Sequence, residues 1–350
     1  MRRALFTFLV GTIVLVVGAG PAFACGGLLA PNGTVNLLRT ATFAGYHAGV
    51  EHYVTSFEFA GEAKNFGSII PLPGVPSKVI KGGDWTLQRL EIETQPQPEF
   101  AANDAAGAAL SAEPKAKVLL ETTIDALDVT ILSGGGDSVG EWAEDNGFNL
   151  PPDAPEVLDF YAARSPIFMA AKFDADAALE RGQLTGDGTP VHLVIPTQDP
   201  WVPLRILGLG KKANEVIEAD VYLLTDAALS MLPRPKPAGF KGMSLEVSAP
   251  ASELLLSDLR SDRGMKWLPS TGMWLSYLAI EAKAGDLQHD LALDATGLRD
   301  PSPIAAGLVP PGASKGGGTD TSTGAPGWLW VVAFGAAIGV VALAGRIAPR

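Results

Sequence analysis

The chain has 350 residues, 47% hydrophobic and 18% charged, with 26 Lys+Arg against 38 Asp+Glu and a single cysteine. That apolar content excludes a disordered chain, and one cysteine excludes both an internal disulfide and a thiolate-rich structural zinc site. A net charge of −12 excludes the basic footprint that nucleic acid requires, so no nucleic-acid partner is expected.

Residues 1–24 read as a secretory signal peptide. Arg2 and Arg3 are followed by an uncharged run from Ala4 to Gly18 and then by the small-x-small processing site Ala22-Phe23-Ala24. The run is shorter than the ~20 residues of a comfortable membrane helix. Cleavage after Ala24 leaves Cys25 at the mature N-terminus. Lipidation of that thiol stays open, although Ala22 and the bulky Phe23 fit a lipoprotein site less well than a free terminal cysteine.

Residues 25–300 carry the patterns of a β-rich extracytoplasmic domain. From Glu51 to Phe59, Tyr53, Thr55, Phe57 and Phe59 share one face of a strand, and His52, Ser56 and Glu58 share the other. Ser68 to Pro76 is a short apolar run ended by prolines. Leu87 to Glu93 and Val118 to Leu132 alternate as strands do, with the Ala/Pro-rich stretch Gln95–Lys117 between them as an inserted loop or marginal helix. A helix is predicted over Ser138–Asn146, capped by Asp137 or Ser138 and stopped by Gly147. A second follows over Asp153–Arg164, with Pro155 in its first turn and Leu158, Tyr161 and Ala162 as its apolar stripe. Val191–Ile195 and Val216–Thr225 complete the predicted strands. Ser68–Pro73 and His192–Pro196 echo one another, as strands running into proline-marked turns, which suggests duplicated β-subdomains.

Pro301–Pro326 has 17 Pro, Gly, Ser or Thr among 26 residues and reads as a tether with a reach of roughly 30 Å. Gly327–Gly345 has 19 residues without a charge, about 28 Å as a helix, which suits a transmembrane span. Trp328 and Trp330 mark its outer edge, and Arg346 and Arg350 place residues 346–350 as a basic cytoplasmic tail. The expected fold class is therefore α+β: a mostly antiparallel, β-rich body, with two β-subdomains and two short helices between them, plus one C-terminal transmembrane helix. The ends hold four arginines and no acid, so residues 25–326 carry 22 basic and 38 acidic groups, a net of −16.

Several segments recur as one ordered set: Ala24-Cys25-Gly26-Gly27, Phe57–Pro76 (FEFAGEAKNFGSIIPLPGVP), Glu141–Phe148, Val191–Ile206 (VHLVIPTQDPWVPLRI) and Tyr277–Asp290. In these the chain resembles the uncharacterised bacterial envelope family catalogued as domain of unknown function 2330, over most of residues 25–300. The resemblance implies export and, often, a C-terminal anchor; it implies no activity.

Catalytic signatures are missing from the sequence. His47 and His52 are five apart, which on one strand puts them on opposite faces, and YHAGVEHYV is not the HExxH zinc helix. His192 reads as a core or edge residue, and His289-Asp290, adjacent on a strand, should diverge. Gly136-Asp137-Ser138-Val139-Gly140 is not a nucleophile elbow, Gly134–Gly136 runs into Asp137 rather than a phosphate-binding Lys, and Gly208-Leu209-Gly210-Lys211-Lys212 lacks P-loop spacing. Asp174 and Asp176 break the EF-hand pattern, and Asp187-Gly188 is a hairpin turn, leaving at most an adventitious calcium ion and no expected cofactor. No residue is assigned as catalytic or metal-binding. Of Trp85, Trp142, Trp201, Trp267 and Trp274, core packing is expected for each, with Trp201, in a loop between Pro200 and Pro203, the best candidate for an exposed ligand contact. The expected protein is a membrane-anchored extracytoplasmic binding or envelope-structural module for an envelope protein or glycan. A surface hydrolase directed at glycan or peptide, working through carboxylates, is the alternative.

Overall fold

A computed structural model describes residues 27–29, 40–57, 65–94, 117–182, 189–236 and 239–312. Ala22, Ala24, Cys25, residues 95–116, Asp187-Gly188 and the apolar segment Gly327–Gly345 lie outside them. Among the described residues no helix is long and apolar enough to cross a membrane.

The elements begin with β1 (Gly27–Leu29), β2 (Thr40–His47), β3 (Val50–Phe57), β4 (Asn65–Pro71), β5 (Lys78–Lys81) and α1 (Thr86–Thr94). There follow β6 (Lys117–Ile124), β7 (Leu127–Ser133), α2 (Gly136–Asp145), α3 (Ala154–Ala162), β8 (Ile167–Asp174), α4 (Ala175–Glu180) and β9 (Thr189–Pro196). The last are β10 (Trp201–Val202), β11 (Val216–Thr225), β12 (Ser230–Leu232), β13 (Pro235–Lys236), β14 (Phe240–Pro250), α5 (Glu253–Ser261), β15 (Trp274–Lys283) and β16 (Leu291–Asp294). Among the described residues three sheets result: a five-stranded sheet in the order β1-β4-β8-β7-β6, an eight-stranded sheet β13-β14-β15-β11-β2-β3-β9-β5, and a small sheet β10-β16-β12. Their pairings are antiparallel except for β2 with β11 and the short β13 with β14. The β-rich α+β class is the one expected.

Both large sheets are covered on both faces. Ile70, Ile131 and Met169 of the five-stranded sheet share one core with Leu193, Val221 and Leu278 of the eight-stranded sheet. The opposite face of the five-stranded sheet, through Ile69, Leu132 and Phe168, packs on Trp142, Leu158 and Tyr161 from α2 and α3. The opposite face of the eight-stranded sheet, through Phe43, Tyr222 and Leu275, packs on Leu90 of α1 and on Leu255 and Leu259 of α5. Helices, sheet, sheet and helices thus stack in four layers, each interface driven by apolar burial. The two expected β-subdomains do not form. β4 and β9, which carry the sequence echo, belong to different sheets that face one common core, and α2 and α3 lie on one sheet's outer face, within the excursion from β7 to β8.

Local chemistry accounts for much of this. The β2–β3 hairpin turns on Ala48 (φ 51°) and Gly49 (φ 82°), both left-handed as a two-residue primed turn requires. The β6–β7 hairpin turns at Asp125, whose carboxylate meets Lys81 of β5 at 2.7 Å and ties the margins of the two large sheets together. Gly136 opens α2, where a Cβ would overlap Asp159 of α3, so the absent side chain lets the two helices close up. The cap of α2 is Gly135, not Asp137 or Ser138, and makes no side-chain cap hydrogen bond; Gly147 (φ 83°) follows the helix as expected.

One predicted strand is a helix. Leu87–Glu93 lies within α1, whose start is held by Asp262, 176 to 178 positions later in the chain: its carboxylate accepts the N–H groups of Asp84 and Trp85 (3.1 Å each) and the Thr86 hydroxyl (2.7 Å). Arg89 then bonds Asp258 of α5. A cap supplied by a distant residue outweighs the period-2 pattern. The folded body also runs past Asp300: Pro301, Ala305 and Ala306 are buried, so the first residues expected as tether pack against the domain.

Candidate functional site

Arg164, at the end of α3, and Asp290, just before β16, form a buried ion pair, with the guanidinium at 2.5 Å and the side chains 4% and 0% exposed. Asp290 also accepts the Tyr161 hydroxyl (2.7 Å) and the backbone N–H groups of Leu204 (2.8 Å) and Arg205 (3.0 Å), while Tyr161 accepts the N–H of Ile206 (2.9 Å). The donors satisfied here are those at the start of the short 3-10 turn Arg205–Gly208, so a carboxylate 85 positions further along the chain caps it. Burial and Asp290 push the Tyr161 phenol well above its ordinary pKa, keeping it a donor. Trp201 lies against this knot. It is 3% exposed, pairs with Ala292 across β10–β16, stacks on Tyr161 at 5.7 Å and lies 5.0 Å beneath the Arg164 guanidinium. The expected exposed contact is therefore a core residue, because its flanking prolines deliver it into a strand pair rather than a free loop.

In front of the knot is a cleft of about 150 Å³, between the start of α3, the 3-10 turn and the turn Ala284–Asp286. Its polar lining comes from Asp153, Glu156, Arg205, Lys211 and Gln288. Arg205, aimed by the capped turn, lies 4.1 Å over the Phe160 ring and pairs with Glu156. Lys211 pairs with Glu215 at 2.7 Å, and that hydrogen bond holds the Glu215 carboxyl below its ordinary pKa. Gly210, at φ 73°, donates its N–H to both oxygens of Asp153 at 3.1 Å. The Gly208–Lys212 stretch that failed as a phosphate loop thus reappears as one wall of a mixed-charge cleft. Both cations are less exposed than their carboxylate partners, Arg205 lies on the Phe160 ring, and the room suits one small polar group.

The histidines are distributed differently from their spacing in sequence. His47 bonds Asp226 at 2.6 Å near the surface. His52 of β3 and His192 of β9, 140 positions apart, meet on the outer face of the eight-stranded sheet, with Nδ1 of one 2.9 Å from Nε2 of the other. Burial, and then the neighbouring His192, pull His52 down to about 3; burial pulls His192 down to about 4. His289 is half-buried and Asp290 wholly buried, and both lie in the bend before β16 rather than on a strand. Glu51 shares the inter-sheet face of β3 with Tyr53. It is 1% exposed, and neither carboxyl oxygen has a hydrogen-bond partner among the described residues. Burial outweighs the pull of the nearby Trp201 backbone N–H and raises it to about 8.

The remaining candidates have local explanations. Asp174 caps α4, accepting the N–H groups of Asp176 and Ala177 at 3.0 Å each. Trp142 is buried as expected, whereas Trp85, Trp267 and Trp274 are half-buried. Among the described residues no group of three or more His, Cys, Asp or Glu is arranged to hold a metal. Sequence reasoning missed Arg205, Lys211, Glu51, the Arg164–Asp290 pair and the His52–His192 pair. Arg205 and the Arg164–Asp290 and His52–His192 pairs depend on partners dozens of residues away, while Lys211, paired with Glu215 four positions on, and the buried Glu51 gain their surroundings only from the fold, so no local spacing marks any of them as a site.

No curated protein matches this chain. Among solved structures it is similar to baculovirus P35, at 9% identity over 75% of this chain and 97% of that one, with a TM-score of 0.38. It is likewise similar to a mutated baculovirus P35 after caspase cleavage, at 7% identity over 73% and 98% of the two chains, with a TM-score of 0.35. Residues 20–231 match the model of a family described as "Uncharacterized protein conserved in bacteria (DUF2330)". By that match, which covers more than half its length, the chain belongs to the DUF2330 family of bacterial proteins.

Proposed function

We propose that this protein is a membrane-tethered extracytoplasmic binding module, and that the cleft at Arg205 and Lys211 takes an acidic group of an envelope glycan or protein. The carrying observation is the unequal exposure of the cleft's ion pairs. The Arg205 and Lys211 side chains are 13% and 17% exposed, whereas their partners Glu156 and Glu215 are 70% and 44% exposed. The cations are fixed and the carboxylates displaceable, so an incoming carboxylate or phosphate can replace Glu156 on the planar guanidinium. Elsewhere the acidic body repels anions, which confines binding to this place. The signal peptide, tether and apolar C-terminal segment support the location.

Chemical-shift titration of the protein with inorganic phosphate and with succinate tests the cleft. Saturable shifts at Arg205 and Lys211, weakened ten-fold or more in Arg205→Gln, are expected; equal affinity in that variant refutes the reading. Protease shaving of intact cells tests the location, and a protected body rejects it. A carboxylate hydrolase is the second reading, favoured by Asp153 and Glu156 one helical turn apart in the same cleft. Glycan or peptide turnover abolished by Asp153→Asn is the result that would install it.

A further inference from the structure

The histidine pair lies away from the cleft. His52 and His192 share one hydrogen between their facing nitrogens, so one ring donates and the other accepts. Trp267 lies flat on His52, with ring centres 3.7 Å apart and planes 5° from parallel. Gly264, at φ 75°, brings the same loop over His192, where a Cβ would stand 3.1 Å from Nδ1. That nitrogen is buried and has no hydrogen-bond partner among the described residues. Loop 262–268 therefore has two functions. Its far end covers the histidines, and its first residue, Asp262, caps α1 through Asp84, Trp85 and Thr86.

The charged groups around the pair offer an incoming proton no compensation. His47 on β2 and Lys78 on β5 both oppose a charge on His52. On the loop, Arg263 is paired with Asp84 at 3.2 Å, and Lys266 adds another cation. Asp262 is already engaged by the α1 donors and by the N–H of Arg263 at 2.7 Å. Among the described residues neither imidazole has a carboxylate partner.

We propose that His52, His192 and loop 262–268 form an acid-opened latch: each histidine takes one proton from solvent, the paired imidazolium charges repel beneath Trp267, and the loop lifts, uncovering the pair and uncapping α1. Both rings are held below the ordinary 6.5 in the closed form, so closure is complete above that pH and weakens as pH falls toward 4. With two groups taking up protons, the opening equilibrium rises by up to about 100-fold per pH unit within that window.

The test titrates the full-length protein in detergent from pH 7.5 to 4, reading Trp267 emission as the difference from Trp267→Phe, with hydrogen exchange at the amides of 84–86. The expected result is a joint transition, steeper than one proton, which His192→Gln reduces to a single-proton slope. A transition unchanged in His192→Gln overturns the latch, as does Trp267 exposure without faster exchange at 84–86. Ring titration of wild-type His52 and His192 by NMR guards against a variant that misfolds. Both rings titrating near 6.5 while the loop stays closed also overturns the proposal.

Discussion

Asp290→Ala is the most demanding perturbation of the fold. Asp290 is wholly buried and accepts from the Arg164 guanidinium, the Tyr161 hydroxyl and the N–H groups of Leu204 and Arg205. Its removal strands a guanidinium whose side chain is 4% exposed, at a cost of about 3–5 kcal/mol for an uncompensated buried charge. The orphaned amides and phenol add about 1–3 kcal/mol each at most, and less together because Arg164 can relax toward Ala305 O, which it already contacts. A net loss of about 5 kcal/mol is expected, and thermal unfolding followed by near-UV circular dichroism should show a Tm lower by about 10–20 °C, at roughly 2–4 °C per kcal/mol for a large domain. In a double-mutant cycle with Arg164→Met, about 2 kcal/mol or more of coupling is expected, because the second substitution removes the stranded charge. A loss below about 1 kcal/mol with no coupling refutes the reasoning, since the pair would then be solvated in solution.

The other substitutions test separate parts of the structure. Glu51 is raised to about 8 from an ordinary 4.5, so the folded state holds a proton that the unfolded chain releases; stability from this group is complete below about 4.5 and falls by up to about 1.4 kcal/mol per pH unit as pH rises toward 8. Glu51→Gln should flatten urea-unfolding free energies between pH 5 and 8, and an unchanged pH slope counts against it. Asp262→Ala should cost about 1–2 kcal/mol and speed hydrogen exchange at the start of α1 while leaving α3 unaffected; equal change in both helices would mean global loosening instead. Trp201→Ala should destabilise the body by about 3–5 kcal/mol, as a buried aromatic does, and a variant of native stability would contradict its place in the core.

The sequence by itself determined features that depend on near neighbours. β11 matches the predicted Val216–Thr225 strand, and α3 forms where Pro155 and the Leu158–Tyr161 stripe place it, because turn chemistry and periodicity act over a few residues. Charge segregation is similarly local, which is why the signal peptide and apolar C-terminal segment are readable as expectations. Tertiary structure decided what depends on distant partners. Leu87–Glu93 became helix because Asp262 caps it and Leu90 packs toward α5; Trp201 became core because β16 pairs with its strand; and β4 and β9 became facing walls of one core rather than repeats. The cleft belongs with these, since Arg205 points into it only because Asp290, 85 residues further along, holds the turn that carries it. Hydrogen-bond satisfaction and burial are properties of the assembled layers, and no window of the sequence contains both members of such a pair.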